Sequence, residues 1–376
     1  MHLISYLTKI HFGAGSRSQL AAEFDLLGVG KPLLVTDKGI VAAGLIDRIR
    51  ADVPRLSEAP IFDETPENPT EAASSAAAAL YRDAGCDAIV AVGGGSPLDL
   101  AKAVSLLAGH PEPLAQYAAI DGGVPKITAS KPPLIAVPTT AGTGSEVGRA
   151  ALITLDDGRK LGFISPHMIP TVAICDPELT LGLPARLTAA TGMDAITHCI
   201  ETYISPRYNP PAEAIALDGL ARAIRWIRQA VANPQSLEAR TEMMMAALQG
   251  GLTFQKGLGG VHSLSHPLGG LKEYRLHHGT LNAVLLPHVL RFNDGHIGAK
   301  AGPLRAVLGS KDGEQLADAI ERLNADLGMP RTLTEMGVSR ACFDDVAEAA
   351  VLDHSTASNP RPLTAADFKN LLEAAA

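Results

Sequence analysis

Aromatic side chains and positive charge are both scarce in this sequence. Phe, Trp and Tyr together make up 4% of its 376 residues, and the formal net charge at pH 7 is -8. Proteins that bind single-stranded nucleic acid stack bases on aromatic rings, and proteins that bind duplexes neutralise phosphates with clustered Lys and Arg. We therefore expect no nucleic-acid partner.

Long apolar segments and a cysteine framework are also missing. No stretch approaches the roughly 20 apolar residues that span a bilayer, and residues 1–15 lack the basic start and continuous apolar core of a signal peptide. The four cysteines show no CxxC spacing: Cys86, Cys175, Cys199 and Cys342. These features predict a cytoplasmic protein without a membrane segment, whose thiols are reduced and buried as small apolar side chains.

What the sequence does contain is enough apolar material for two domains. Hydrophobic residues make up 46% and charged residues 19% of a chain longer than a typical single domain. In the first half, short apolar runs that end at turn residues alternate with helix-compatible segments, which is typical of βαβ units and a mostly parallel sheet. The predicted strands are 33–36, 88–92, 134–137 and 172–175, and the predicted helices are 39–50, 70–84 and 97–108.

The pattern changes after about Asp176. No comparable series of apolar β runs follows Pro184, and helical segments dominate instead. Besides two near the C-terminus, the predicted helices are 187–203, 212–231, 237–252, 261–268, 280–293 and 313–327. The sequence therefore predicts an α/β domain over residues 1–180 and an all-α domain over residues 181–376.

A glycine-rich turn follows one of the predicted strands. Residues 88–99 read AIVAVGGGSPLD, so three glycines and Ser96 join a buried strand to a helix with Pro97 in its first turn. Glycines let the backbone approach a phosphate closely, and a helix N-terminus offers free N–H groups and a positive dipole. This arrangement predicts a pyrophosphate site. The pattern differs from the GxGxxG fingerprint, and a tight turn without a ligand is the alternative.

Two further features favour a nucleotide. Residues 138–146, PTTAGTGSE, follow another predicted strand and carry hydroxyls and glycines suited to ribose and phosphates. Asp37 ends an early strand, where a carboxylate can accept hydrogen bonds from the adenosine ribose. Because a carboxylate would repel a 2′-phosphate, Asp37 favours NAD over NADP. An ordinary loop and an ordinary turn are the alternatives.

Candidate metal ligands are concentrated in the second half. They form two pairs spaced four apart and one adjacent pair: Asp194 with His198, His262 with His266, and His277 with His278. A spacing of four puts both side chains on one face of a helix. Six candidates exceed the about four that a tetrahedral site needs. Spacing therefore leaves the ligand set open and leaves one residue available for proton transfer, and a solvated histidine-rich helix end is the alternative.

In their order along the chain, these motifs resemble the iron-containing alcohol dehydrogenase family. The resemblance covers nearly the whole chain and implies a dehydroquinate synthase-like fold, with an N-terminal nucleotide-binding α/β domain and an all-helical metal-binding domain. The segments that carry it are VTDKG (35–39), PENPT (66–70), GGGSPLDLAKA (93–103), PTTAGTGSE (138–146), CDPELTLGLP (175–184), GMDAITHCIE (192–201), VHSLSHPLGG (261–270) and HHGTLNAVLLPHV (277–289).

The resemblance also implies the functional residues. It implies metal ligands at Asp194, His198, His262 and His278, the histidine that precedes Gly279. Because the segment LKEYRLH before it is longer than usual for the family, His277 is the alternative ligand. His266 is implied to be catalytic, near the nicotinamide and not on the metal. The implied NAD contacts are Asp37, Asn68, Gly94, Gly95, Ser96, Asp99, Thr139, Thr140, Thr143 and Lys160.

Within the family, the chain is most similar to 4-hydroxybutyrate dehydrogenases, in segments such as FDETPENPTEA (62–72), GRKLGF (158–163) and FQKGLG (254–259). The resemblance implies a homo-oligomeric, NAD-dependent enzyme that interconverts a primary alcohol and its aldehyde, with 4-hydroxybutyrate and succinate semialdehyde as the expected pair. Fe²⁺ is the expected metal and Zn²⁺ its competitor, since imidazole and carboxylate suit both. The ion would act as a Lewis acid, and His266 would relay the proton. The alternatives are another small alcohol, diol or aldehyde acid, or a non-redox metal-dependent lyase of the same fold.

A substrate that carries a carboxylate requires a cation to receive it. The candidates near the histidine motifs are Lys256, Lys272 and Arg275. For each of them, a solvated surface charge is the alternative.

Overall fold

In the computed structural model, which describes residues 4, 6, 8–271, 273–311 and 313–376, the chain forms two compact units. The α/β unit comprises residues 6–140 and 145–181, and the helical unit comprises residues 182–376 with the short segment 141–144. The prediction about a signal peptide concerns residues 1–15, of which 1–3, 5 and 7 lie outside the described residues.

A six-stranded parallel sheet forms the centre of the α/β unit. Its spatial order is β1–β8–β5–β4–β2–β3, and every paired neighbour is parallel. A separate antiparallel hairpin consists of β6 and β7. The strands are β1 (Lys9–Phe12), β2 (Pro32–Val35), β3 (Ile61–Phe62), β4 (Ala88–Gly93), β5 (Leu134–Pro138), β6 (Ala150–Thr154), β7 (Lys160–Ile164) and β8 (Val172–Cys175).

Helices cover both faces of this sheet, so its four inner strands, β8, β5, β4 and β2, are apolar and buried throughout. Alternate residues of one strand face opposite sides: Ile89 packs in the core cluster that includes α4 and α5, whereas Val90 packs in the cluster that includes α1 and α3. The helices of this unit are α1 (Gln19–Leu27), α2 (Lys38–Ala42), α3 (Leu45–Asp52), α4 (Glu71–Asp83) and α5 (Gly95–Gly109).

The helical unit carries the rest of the regular structure. The helices α6, α7 and α8 pack against one another, and α9 and α10 pack together, with α10 also against α6. The helices are α6 (Ala185–Ile204), α7 (Pro210–Ala232), α8 (Leu237–Leu252), α9 (Gly260–Gly270), α10 (His278–Asn293), α11 (Ala301–Leu308), α12 (Leu316–Asp326), α13 (Phe343–Leu352) and α14 (Ala365–Ala374). The predicted fold class, a parallel α/β sheet followed by helices, is confirmed.

The observed helices and strands can be compared with those predicted from the sequence. The predicted helix 237–252 has the observed bounds, and Thr70 caps α4 by accepting a hydrogen bond from Ala73 N at 3.2 Å. The predicted helix 39–50 is instead two helices, because Gly44 between them has a φ of 72°, in the left-handed region that glycine adopts without a Cβ penalty. The strands β1, β3, β6 and β7 and the helices α1 and α11 were not predicted.

The structure also bears on membrane-spanning segments and on the cysteines. Among the described residues, no helix combines the length and the apolar character needed to cross a membrane. The cysteines are all free thiols, and Cys175 and Cys199 are buried as predicted. Cys86 and Cys342 are only partly buried, so the prediction that all four are buried is wrong for these two.

Candidate metal centre and nucleotide-binding residues

One face of α6 carries the first two candidate ligands. Asp194 and His198 are separated by four residues and Glu201 by three more, so all three side chains lie along the same stripe of the helix. All three are buried, with exposures of 2%, 4% and 2%. Buried ionisable groups require partners, and the partners come from α9 and α10.

Close packing of α10 on α6 brings His278 to Asp194. A Cβ on Gly279 would lie 2.1 Å from the carbonyl oxygen of Ala190 in α6, so only glycine permits this approach of the two backbones. His278 is the first residue of α10, and His277 precedes the helix in an extended conformation. The glycine therefore explains physically why the histidine directly before it is the one held beside α6.

Three imidazoles converge on one carboxylate oxygen. The Nε2 atoms of His198, His262 and His278 lie 3.5, 3.8 and 3.6 Å from Asp194 Oδ1. Ligand atoms at about 2.0–2.1 Å from one tetrahedral ion lie about 3.3 Å apart, so a small contraction of this cluster would accommodate a divalent cation. The His198 and His262 rings are stacked, with centroids 4.7 Å apart.

An amide side chain contacts several candidate ligand atoms of this cluster. Asn282, one helical turn after His278, points its Nδ2 at the cluster, 2.7 Å from Asp194 Oδ1. The same nitrogen lies 3.3 Å from His262 Nε2 and 3.2 Å from His278 Nε2. Three candidate ligand atoms thus surround one amide nitrogen. The set of three imidazoles and a carboxylate fits Fe²⁺ or Zn²⁺.

The electrostatics of the cluster keep its carboxylate ionised. Burial acts to raise the pKa of Asp194, but the imidazoles of His198, His262 and His278 outweigh it and hold that pKa well below its usual range. Burial lowers the pKa of His198 to about 4, although Asp194 opposes the shift. Burial also acts to lower the pKa of His262, yet Asp194 and Glu201 raise it to about 9.

Glu201 fixes the orientation of His262. Its Oε2 lies 2.6 Å from His262 Nδ1, and its Oε1 accepts a hydrogen bond from Val261 N at 2.7 Å. Since a carboxylate can only accept, Nδ1 donates, and Nε2 is left facing Asp194. Sequence reasoning gave Glu201 no role, although its spacing from His198 was a usable signal.

His266 has a carboxylate partner of its own. Its Nδ1 lies 2.8 Å from Asp353 Oδ2, and its ring stacks on His278 with centroids 5.5 Å apart and an interplanar angle of 7°. Asp353 follows α13, far from α9 in the sequence. No local pattern identified this residue or Asn282 in advance.

In the α/β unit, the predicted NAD contacts follow neighbouring strand ends. Gly93 of β4 is paired with Pro138 of β5, and Val35 of β2 with Ala91 of β4. The carboxyl ends of parallel strands meet at one edge of a sheet, where nucleotides bind in folds of this kind. The residues that this edge brings together are Asp37, Gly94, Gly95, Ser96, Thr139 and Thr140.

The glycine turn has the geometry of a phosphate cradle. Gly93 has a φ of 152°, and a Cβ there would lie 2.6 Å from the Pro97 ring. Gly94 precedes α5 and makes no side-chain cap, so the first N–H groups of that helix are not capped by it. The hydroxyl of Thr139 is buried and has no hydrogen-bond partner among the described residues. These features fit a dinucleotide.

Other predicted NAD contacts have protein partners as well. Lys160 donates to Asn68 Oδ1 at 2.8 Å, and burial lowers the pKa of Lys160 to about 8. Asp99 accepts from the Ser145 hydroxyl at 2.6 Å and from Leu152 N at 2.9 Å. The Ser96 hydroxyl donates to the Glu67 carbonyl oxygen, and Asp37 caps α2 by accepting from Ile40 N at 2.9 Å. Thr143 lies in the segment 141–144, which belongs to the helical unit.

Lys256 does not have the exposed position that a receptor for a substrate carboxylate needs. It is 1% exposed, and its ammonium donates to three carbonyl oxygens near the end of α6, those of Thr202, Tyr203 and Ser205, at 2.7–2.9 Å. It also pairs with Glu213 at 3.1 Å. Both interpretations of Lys256, as a substrate receptor and as a solvated charge, are therefore wrong. Arg275 is exposed, and Lys272 lies outside the described residues.

Comparison with known proteins adds independent information. The family model described as iron-containing alcohol dehydrogenase matches residues 8–177, and the C-terminal model of the Fe-containing alcohol dehydrogenase family matches residues 188–376. The chain is 54% identical to a 4-hydroxybutyrate dehydrogenase of Cupriavidus necator over 380 residues, which cover 99% of each chain.

Solved structures agree with these matches. A crystal structure of a 1,3-propanediol oxidoreductase superposes with a TM-score of 0.93 at 38% identity and covers 100% of both chains. The sulfoacetaldehyde reductase of Bifidobacterium kashiwanohense, solved in complex with NAD⁺, gives a TM-score of 0.88 at 28% identity and covers 100% of this chain and 98% of that one.

Proposed function

Given that the chain belongs to the iron-containing alcohol dehydrogenase family, we propose that it interconverts 4-hydroxybutyrate and succinate semialdehyde with NAD and a divalent metal ion. The family accounts for the reaction class, a dehydrogenase acting on a small alcohol or aldehyde. The specific substrate pair rests on the relative that is 54% identical over the full chain.

The observation that carries the proposal is the convergence of three Nε2 atoms on Asp194 within 3.8 Å. In this proposal, Asp194, His198, His262 and His278 hold the ion, and His277 is not a ligand. When bound, the ion supplies Lewis-acid polarisation of the substrate oxygen, while NAD exchanges the hydride. Fe²⁺ is the proposed metal because the family is iron-containing.

Neighbouring residues hold the proposed ligands in position. Glu201 accepts a hydrogen bond from His262 Nδ1, and Asn282 donates one to the Asp194 carboxylate. The rings of Phe254 and His198 pack edge to face with centroids 4.7 Å apart, and His198 is buried. Partners of this kind fix ligand orientation and raise ligand basicity.

His266 is the proposed proton-transfer residue. Because its Nδ1 donates to Asp353, Nε2 is the nitrogen that can exchange a proton with the reacting system. Nearly complete burial of its side chain, which is 5% exposed, limits competition from water. The pairing with Asp353 also fixes the orientation of the ring.

The proposed NAD site uses the strand ends of the α/β unit. The turn 93–95 and the N-terminus of α5 receive the pyrophosphate, and Asp37 accepts from the adenosine ribose, which disfavours the 2′-phosphate of NADP. The other proposed contacts are Asn68, Ser96, Asp99, Thr139, Thr140, Thr143 and Lys160. A cytoplasmic location and a homo-oligomeric state stay predictions.

A substrate panel tests this proposal. The protein, purified without oxygen and loaded separately with Fe²⁺ or Zn²⁺, is assayed with 4-hydroxybutyrate, 1-butanol and 1,3-propanediol and with either NAD or NADP. We expect the highest kcat/KM for 4-hydroxybutyrate with NAD, measured by NADH absorbance. A higher kcat/KM for either uncharged alcohol would overturn the substrate assignment. Absence of NADH formation across the panel and of NADH consumption with succinate semialdehyde would overturn the function.

A further inference from the structure

A second group of potential ligands lies beside the metal centre. Ligand atoms of His266, Asp353 and His354 all lie within 4.8 Å of one another. His266 comes from α9, whereas Asp353 and His354 directly follow α13. The two imidazole rings are stacked, with centroids 5.5 Å apart and an interplanar angle of 17°. The cluster is therefore a product of tertiary packing between two helices.

The distances within this cluster suit an ion. Asp353 Oδ2 lies 2.8 Å from His266 Nδ1, and Asp353 Oδ1 lies 3.7 Å from His354 Nδ1. These values lie on either side of the about 3.3 Å that separates ligand atoms around one tetrahedral ion. Two imidazoles and one carboxylate form a typical three-residue zinc set, in which water completes the coordination.

The carboxylate at the centre of the cluster is fixed and ionised. Ser355 N donates to Asp353 Oδ1 at 2.8 Å, which holds the carboxylate in place. Burial acts to raise the pKa of Asp353, but His266 and His354 outweigh it and hold that pKa well below its usual range. The carboxylate side chain is 12% exposed and that of His354 is 36% exposed, so an ion can enter from solvent through His354.

From this geometry we propose that His266, Asp353 and His354 bind a second divalent cation of the zinc type, and that this ion inhibits turnover. The ion replaces the proton on His266 Nδ1, which breaks the pairing with Asp353. The inhibitory part rests on the proposed function of His266, whereas the binding part does not. None of the three residues belongs to the proposed ligands of the first ion.

Binding stoichiometry tests the site without any assay of activity. Protein that already holds one equivalent of Zn²⁺ is titrated with further Zn²⁺ by calorimetry and equilibrium dialysis. Because both metals are Zn²⁺, exchange at the first centre does not change the measured stoichiometry. We expect a second equivalent per chain. Its affinity should fall by at least about 10-fold in His354→Phe, which retains a ring to stack on His266 but no ligand atom, and in His354→Ala. His296→Ala removes an exposed histidine outside the cluster and should retain both equivalents.

Binding of one equivalent only, or an unchanged second equivalent in both His354 variants, would overturn the site. For the inhibitory part, turnover of the zinc-loaded enzyme is measured with and without excess Zn²⁺. The ratio of turnover with excess Zn²⁺ to turnover without it should fall below one in the parent protein and stay near one in His354→Phe. A second equivalent that leaves turnover unchanged overturns inhibition but not the site. If no dehydrogenase activity is found at all, the proposed function fails while the stoichiometry still decides the site.

Discussion

The two units of this protein build their candidate sites in different ways. In the helical unit the site consists of side chains from α6, α9 and α10 that meet around Asp194. In the α/β unit the glycine turn exposes backbone N–H groups at a strand end. A site made of backbone is encoded by a short segment, whereas a site made of side chains requires distant segments to pack correctly.

Buried charge also differs in its role between the units. Lys102 of α5 is buried, and its ammonium donates to the Ser145 hydroxyl and to the carbonyl oxygens of Gly148 and Ala150, at 2.7–3.0 Å. Burial lowers the pKa of Lys102 to about 8, although Asp99 opposes the shift. These partners join α5 to β6 and its preceding loop. Around Asp194, by contrast, three imidazole nitrogens and a carboxylate oxygen converge on one point. This is the arrangement that a metal ion requires.

Removal of the central carboxylate should produce the largest effect. Asp194→Asn eliminates the charge on which three imidazoles converge, so we expect loss of bound metal and a fall in turnover of about 10³-fold or more, equivalent to about 4 kcal/mol of lost transition-state stabilisation. Metal analysis and initial rates measure this. Asp218→Asn, at an exposed ion pair with Arg222, is the matched control. Retention of stoichiometric metal by Asp194→Asn would contradict the proposed centre.

An effect of intermediate size on metal affinity is expected for Glu201, which contacts the proposed ligand His262 and not the ion itself. Glu201→Gln replaces one of the two accepting carboxylate oxygens with an NH₂ group, so the side chain can no longer accept from both Val261 N and His262 Nδ1. Metal affinity should therefore fall about 10–100-fold. Competition with a chelator measures the affinity. Glu242→Gln, which alters a carboxylate paired with Arg222, should bind metal normally. Equal affinities for the two variants would show that Glu201 does not support the centre.

The smallest effect is expected at the strand end of the α/β unit. Asp37→Ser removes the negative charge but keeps an oxygen able to cap α2, so the NAD-over-NADP ratio of kcat/KM should fall about 10-fold, or about 1.4 kcal/mol. Asp37→Ala should change the ratio equally and also destabilise the protein by about 0.5–2 kcal/mol through loss of the cap. Thermal unfolding separates the two effects. An unchanged ratio in Asp37→Ser would exclude Asp37 from cofactor selection.

Local patterns in the sequence were sufficient for much of the fold. Apolar runs before turn residues located β2, β4, β5 and β8, because strands buried on both faces are apolar throughout. The hairpin of β6 and β7 was missed because its strands are partly exposed and so lack the fully buried apolar run of the predicted strands. Gly44 interrupts a helix only through its backbone conformation, which the periodicity of the neighbouring side chains does not report.

The sequence by itself determined the class of the protein. Spacing of four placed Asp194 with His198 on one helical face, and the glycines at 93–95 predicted a phosphate-binding turn, since both depend only on helix periodicity and on the lack of a Cβ. Only the tertiary structure decided which residues surround these groups. It showed that the side chains of Glu201, Asn282 and Asp353 contact the histidines or the carboxylate of the site. It also showed that Lys256 is bound to carbonyl oxygens and does not have its predicted role. Such contacts join helices that are distant in sequence, and they depend on how whole helix faces pack.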